Sequence, residues 1–328
     1  MPDIGRAPSL EAAPDTRIPG TNGLSTKHVS QIQRTRILAA MAEICVERGM
    51  SNVTVAHVVS RSGVSRRTFY EIFDDREDCF LATLDEALAR AASYVLPAYE
   101  TPARWDERMR ASLIALLSFL RDEPFMGQLM LIEALAAGPV ALERRRQVLA
   151  GVLVAVDEGR ALAEEGKELP ALTAEGLVGG ALSVLHARLV ESDRTSLLEL
   201  TGPLMGMIVL PYLGAQAAKK ELKRPVPVGK SRHVPNSADL LRDVDMRLTY
   251  RTVRVLMSVA AYPGSSNREI GTASDVQDQG QISKLLTRLH KLGLIENMGA
   301  GIVRGAPNAW VLTGKGQEIE QAVGESGA

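Results

Sequence analysis

TVAHVVSRSGVSRRTFYEIF, residues Thr54–Phe73, reads as two short helices joined by a tight turn. Thr54 suits the N-cap of the first helix, because its hydroxyl can accept a bond from an unpaired first-turn N–H. Val55, Val58 and Val59 then fall at i, i+3 and i+4, a single apolar stripe. Gly63 is where that helix stops, since glycine takes a positive φ without a Cβ penalty. Ser65 caps the second helix, in which Phe69, Ile72 and Phe73 can face inward. Arg66, Arg67 and Tyr70, at i, i+1 and i+4, share the opposite, outward face. Cations and a tyrosine hydroxyl near the start of a short helix suit the major groove of DNA. The positive end of the helix dipole and the arginines attract phosphate, and arginine also offers a bidentate contact to guanine. A solvated helix pair in an ordinary bundle is the alternative reading of the same residues.

The longer run Arg34–Phe80 resembles the DNA-binding domain of the tetracycline-repressor (TetR) family. The residues that carry the resemblance are ERG at Glu47–Gly49, Thr54, GVS at Gly63–Ser65, TFY at Thr68–Tyr70, Phe73, and the basic–acidic pair Arg76–Glu77. The resemblance implies a three-helix DNA-binding bundle over residues 31–80. Its DNA contacts would be Thr54, Ser65, Arg66, Arg67, Thr68, Tyr70 and Arg76. Arg76 stands where the family has a lysine that helps anchor the DNA backbone. Asp74 and Asp75 precede it, and would oppose phosphate if they faced the DNA.

Length and composition bound the rest. The chain has 328 residues, 45% hydrophobic but only 4% aromatic, which favours a mainly all-α protein. At ~150 residues per domain this is about two domains or three. A net charge of −1 means that any nucleic-acid binding comes from local patches. The first residues have no apolar core segment, and no uninterrupted apolar run looks like a membrane span, so a cytoplasmic protein is expected. Cys45 and Cys79 make no zinc pattern, and Cys45 on the stripe of its helix reads as core. His28, His57, His186, His233 and His290 are scattered, without a second ligand at i+3 or i+4. No nucleophile elbow, P-loop or dinucleotide fingerprint appears. The expectation is a non-enzyme with no catalytic residues, no cofactor and no metal.

Residues 1–30, rich in Pro, Gly, Ser and Thr, read as a disordered tail. Residues 81–218 are almost wholly helical in pattern, with helices near 76–96, 104–121, 124–136, 139–165, 173–191 and 195–218. In the resemblance this region senses a small effector and dimerises. The helices near 173–191 and 195–218 would pair across a homodimer, helped by Gly176, Gly179, Gly180 and Ala181. A two-fold dimer suits a palindromic double-stranded operator. Trp105, Leu117, Phe125, Met126 and Met130 lie at helical spacings and would line a cavity for an apolar effector, or are plain core.

Residues 219–240 form a linker with three prolines, in which Lys219, Lys220, Lys223, Arg224, Lys230 and Arg232 outnumber the acids. Residues 241–325 then read as helices at Asp245–Ala261, Asn267–Ala273 and Gln279–Leu292, followed by a hairpin and a final helix near Lys315–Val323. LIEN (Leu294–Asn297) and NAWVLT (Asn308–Thr313) are its strands, with GAGIVRGAP between them. LLTRLHKLGLIEN (Leu285–Asn297) and NAWVLTGKG (Asn308–Gly316) resemble a winged helix–turn–helix domain of the MarR-like type. That implies Gln281, Lys284 and Arg288 in a major groove and Arg304 on the wing. Leu240–Gly316 holds ten Lys and Arg against six Asp and Glu. The whole then reads as a homodimeric DNA-binding transcription regulator, a repressor released by an effector, with two reading modules per subunit. The rival readings are a winged domain used for protein contacts, and an architectural DNA binder without an effector.

Overall fold

The computed structural model describes residues 26–101, 104–163, 168–191, 197–226, 250–299 and 307–325. Most of the expected tail, the linker beyond residue 226, and Arg304 lie outside the described residues. Two compact units emerge, one within Ser30–Thr249 and one within Tyr250–Glu320.

The first unit begins with α1 (Thr26–Arg48), closed by Gly49 at φ 74°. Then come α2 (Val55–Ser62), α3 (Arg66–Ile72) and the long α4 (Arg76–Glu100). Asp75 caps α4 by accepting from the Asp78 N–H, while the Asp78 carboxylate accepts from Asp74 N–H. Of the two acids ahead of Arg76, Asp75 therefore serves the helix start with its side chain. α4 carries the chain out of the small bundle and packs along α5 (Trp105–Asp122). Leu84 and Ala87 of α4 and Leu117, Phe119 and Leu120 of α5 are wholly buried. α6 (Pro124–Leu131), a single turn at Glu133–Leu135, and α7 (Pro139–Asp157) follow. The expected helix near 124–136 is thus broken after Leu131, and that near 139–165 tightens to a 3-10 turn at Glu158–Leu162. Gly159 sits in that turn because a Cβ there would lie 2.6 Å from the Trp105 ring. Trp105 in turn donates its indole N–H to the Ala155 carbonyl at 2.9 Å.

α8 (Thr173–Val190) agrees with the expected helix near 173–191. The helix expected near 195–218 does not form as one rod. α9 (Thr201–Lys223) is non-helical at Gly214, with φ 79° and ψ 178°. Beyond it the chain folds back, so that an added Cβ on Gly202 would lie 3.3 Å from the Glu221 carbonyl and one on Gly206 3.2 Å from the Leu222 side chain. A positive φ is cheap only for glycine, which is why the fold falls at Gly214. The segment 197–223 is long and apolar enough to cross a bilayer by composition alone. Here it is two limbs, with Met205, Val209 and Tyr212 buried in the core.

The second unit holds α10 (Tyr250–Ala261), α11 (Asn267–Ala273), α12 (Gln279–Lys291), β1 (Ile295–Asn297), β2 (Trp310–Leu312) and α13 (Gly314–Glu325). The strands pair antiparallel, with Ile295 opposite Leu312 and Asn297 opposite Trp310. Val255 and Val259 of α10, Ile270 of α11, and Ile282, Leu286 and Leu289 of α12 make the core. An asparagine relay fastens the hairpin to α11. Asn267 Oδ1 accepts from Trp310 Nε1 at 2.6 Å and from Asn308 Nδ2 at 2.9 Å. Asn308 Oδ1 in turn accepts from Asn297 Nδ2 at 2.7 Å. Asn267→Ala strands two donors at once, so it should cost ~1–3 kcal/mol of this unit's stability. Asn267→Asp, which keeps the oxygen, should cost less. Chemical unfolding of the full chain measures both, and equal midpoints for wild type and Asn267→Ala would refute the relay.

Candidate nucleic-acid interface

The caps expected in the opening stretch are all formed. Thr54 Oγ1 accepts from His57 N–H at 3.3 Å, and Gly63 closes α2 in the left-handed region at φ 66°. Ser65 Oγ accepts from Thr68 N–H at 3.0 Å and bonds the Thr68 hydroxyl at 2.8 Å. Val58, Phe69 and Phe73 anchor the pair in the bundle. A bond not expected from sequence fixes the angle of α2. The Arg61 guanidinium reaches Glu47 with two bonds of 2.8 Å and Glu43 with one of 2.7 Å. Glu43 and Glu47 stand at i and i+4 on α1, a pattern that could have announced a partner.

Arg66, Arg67 and Tyr70 are exposed together on α3. The Arg66 guanidinium lies 5.8 Å from the centre of the Tyr70 ring. Arg67 is paired with Glu71 at 2.8 Å, one turn on. Ser65 and Thr68 are half-buried, their hydroxyls joined to each other, while Thr54 is exposed beside the start of α2. Arg76 is turned inward, donating to the Val53 carbonyl at 3.0 Å. It ties α4 to the loop that precedes α2.

In the second unit, Gln281, Lys284 and Arg288 are exposed along one side of α12, opposite the buried Ile282, Leu286 and Leu289. Gln281 accepts from Arg251 at 3.1 Å. Lys284 and Arg288 have no ion-pair partner among the described residues. The Asp278 carboxylate takes the first N–H groups of α12, from Gly280 at 2.8 Å and Gln281 at 3.0 Å. That helix start is therefore already capped by an anion.

The residues expected around an effector do not gather at one opening. Leu117, Met126 and Met130 are buried, and Phe125 is partly so. Trp105 borders a cleft of about 490 Å³ with Arg108, Glu158 and Leu213. A separate cleft of about 420 Å³ opens between α7 and α8, bordered by Leu131, Leu135, Leu149, Leu153, Val178, Gly179 and Leu182, with Arg145, Glu175 and His186. Among the described residues no three His, Cys, Asp or Glu side chains converge on a metal position. Cys45 is buried against Met41 and Met50, its sulfur 3.6 and 3.9 Å from theirs. Burial pushes the Cys45 thiol up to about 12, which keeps it protonated.

Residues 37–83 match the family model described as bacterial regulatory proteins, tetR family. Over 117 residues the chain is 26% identical to the HTH-type transcriptional activator FasR of Mycolicibacterium smegmatis, covering 36% of this chain and 53% of that one. The chain thus spans about half the length of this curated relative. Among solved structures it is similar to the transcriptional regulator FadR from Bacillus subtilis in complex with stearoyl-CoA. That likeness has 18% identity, TM-score 0.47, and covers 53% of this chain and 96% of that one. A TetR family transcription regulator from Marinobacter aquaeolei VT8 is similar at 19% identity and TM-score 0.48, covering 56% of this chain and 97% of that one. What α1, α2, α3 and the start of α4 build around the Gly63 turn is therefore a helix–turn–helix that matches the tetR family of bacterial regulatory proteins over residues 37–83.

Proposed function

We propose that the protein is a homodimeric, sequence-specific DNA-binding transcription regulator in which α3 reads the major groove. The observation that carries this is the division of α3 between two faces. Phe69 holds it in the bundle while Arg66, Arg67 and Tyr70 are exposed on the outside. The second unit is read as an added winged DNA-binding module, with Lys284 and Arg288 of α12 as its groove contacts. Arg304, the wing cation, lies outside the described residues. The dimer would use α8, whose Gly176 has open space above it, together with the first limb of α9. The α7–α8 cleft has the size and aliphatic lining of a small-molecule site, and is the place proposed for an apolar effector. The named relative FasR is an activator, so the proposal admits activation beside the expected repression.

A second reading, in which the C-terminal unit binds protein, draws on Asp278. Its carboxylate holds the N–H groups that a phosphate would otherwise meet. Footprinting of the full-length protein on genomic fragments it selects in vitro separates the readings. The expected result is two half-sites with extra protected flanks. Combined Lys284→Ala and Arg288→Ala should erase the flanks and spare the centre. A short palindrome unchanged by those substitutions would favour the protein-binding reading, and no protection at all would refute DNA reading.

A further inference from the structure

We infer that Glu133 is the positioning residue that links the corner between α6 and α7 to the reading head, so that a change of packing in the α7–α8 cleft is felt at the turn leading into α2. The inference rests on the functional reading above, in that it takes DNA binding as the output. Glu133 opens the single turn Glu133–Leu135. Its Oε2 accepts from the Met50 N–H at 2.9 Å, 83 positions away in sequence. Met50 begins the short turn Met50–Asn52, which runs from Gly49 to the N-cap of α2 at Thr54. A Cβ added to Gly49 would lie 4.0 Å from the same carboxylate oxygen, so Glu133 sits over the bend itself. Met50 is 5% exposed, and its N–H has no main-chain acceptor among the described residues. The carboxylate thus meets a donor that burial would otherwise leave unpaired.

The other end of the link is the cleft. Leu131 and Leu135, on either side of Glu133 in the chain, both border it. Between them Ala134 is wholly buried, which leaves the turn little freedom to absorb a displacement locally. A second grip lies on α7, where Arg144 donates to the Leu81 carbonyl at 2.8 Å and to Asp85 of α4 at 2.5 Å. The corner therefore holds the small bundle at two places, the bend before α2 and the early part of α4. Displacing the turn at Glu133 while Arg144 holds α4 would shift the Gly49–Met50 bend relative to α4. That is a two-point coupling carried by named bonds rather than by proximity.

A double-mutant cycle in the full-length protein tests it. Gly179 borders the cleft, and a Cβ there would meet nothing within 4 Å. Gly179→Leu therefore fills the cleft with an attached aliphatic group and needs no identified effector. DNA affinity is read by anisotropy on a fragment the protein selects, and hydrogen exchange is read over residues 49–54. In the wild-type background Gly179→Leu should change affinity by about fivefold or more. In a Glu133→Ala background the same substitution should change it by less than about twofold, and exchange at Met50 should rise. Glu133→Gln keeps an acceptor oxygen and should restore both behaviours, which loss of packing alone would not allow. An equal effect of Gly179→Leu in both backgrounds, or none in either, overturns the inference. So does unchanged Met50 exchange in Glu133→Ala. A wild-type protein that binds no DNA would strike the functional reading instead, and the exchange result would still decide the Glu133–Met50 link.

Discussion

Glu221→Ala is expected to lower the stability of the first unit by roughly 3–5 kcal/mol, the usual cost of leaving one partner of a buried ion pair alone. Glu221 and Arg110 meet at 2.7 Å with side chains only 5% and 4% exposed. Arg110 also donates to the Pro225 carbonyl at 3.0 Å, and Arg224 forms a fork on Glu107 with two bonds of 2.8 Å. Together these bonds hold the second limb of α9 against α5, so Lys219–Lys223, expected at the start of the linker, are instead helical and belong to this unit. Without Glu221 the guanidinium of Arg110 stays buried with only carbonyl partners, and the limb loses its anchor. Arg110→Ala should cost a similar amount, because it leaves the carboxylate instead. The pair Arg110→Met with Glu221→Leu replaces both charges by apolar groups and should recover much of the loss. Denaturant unfolding followed by circular dichroism measures all four proteins. A loss below about 1 kcal/mol in both single variants would show that the pair behaves as a solvated one.

The same limb shows where sequence reading stops. α2, the Gly63 turn and α3 were legible because each boundary is set locally, by a hydroxyl cap at Thr54 or Ser65 or by a glycine with positive φ. Asn267–Ala273 and the two short strands agree with the sequence reading, the strands through the turn-rich segment between them, and the structure adds a Ser266–Glu269 capping box at the helix start. The fold at Gly214 was not. A glycine among small and apolar residues also reads as a tolerated member of a long helix. What selects the folded-back form is contact with partners far along the chain, such as Arg110, 111 positions from Glu221. The candidate effector residues meet a related limit. An apolar stripe looks the same whether it faces a cavity or a packed neighbour, so Leu117 and Met126 could not be told from core. Arg76 was placed on the interface by resemblance, but its bond to Val53 depends on the path of a loop that periodicity does not describe.

Arg66→Ala should weaken binding to a selected operator by ~1–3 kcal/mol for each α3 in contact, hence by roughly 30-fold to 10⁴-fold for a dimer on two half-sites. Arg66 is exposed, has no ion-pair partner among the described residues, and lies against the Tyr70 ring, which restrains it on the outward face. Arg67 must first leave Glu71, so Arg67→Ala should cost less than Arg66→Ala. Neither substitution touches the core, and folding stability should stay within ~0.5 kcal/mol of wild type, so a binding loss would not be an unfolding artefact. Arg66→Lys then separates two roles. If Arg66 forms a bidentate contact to guanine, lysine cannot replace the fork, and preference at that base pair relaxes. If Arg66 meets only phosphate, lysine keeps most of the affinity and the dependence on salt stays as in wild type. Competition binding across single-base operator variants, repeated at two salt concentrations, reads both outcomes. Unchanged affinity for both Arg66→Ala and Arg67→Ala would remove α3 from the interface, and with it the assignment of the first unit as the reading head.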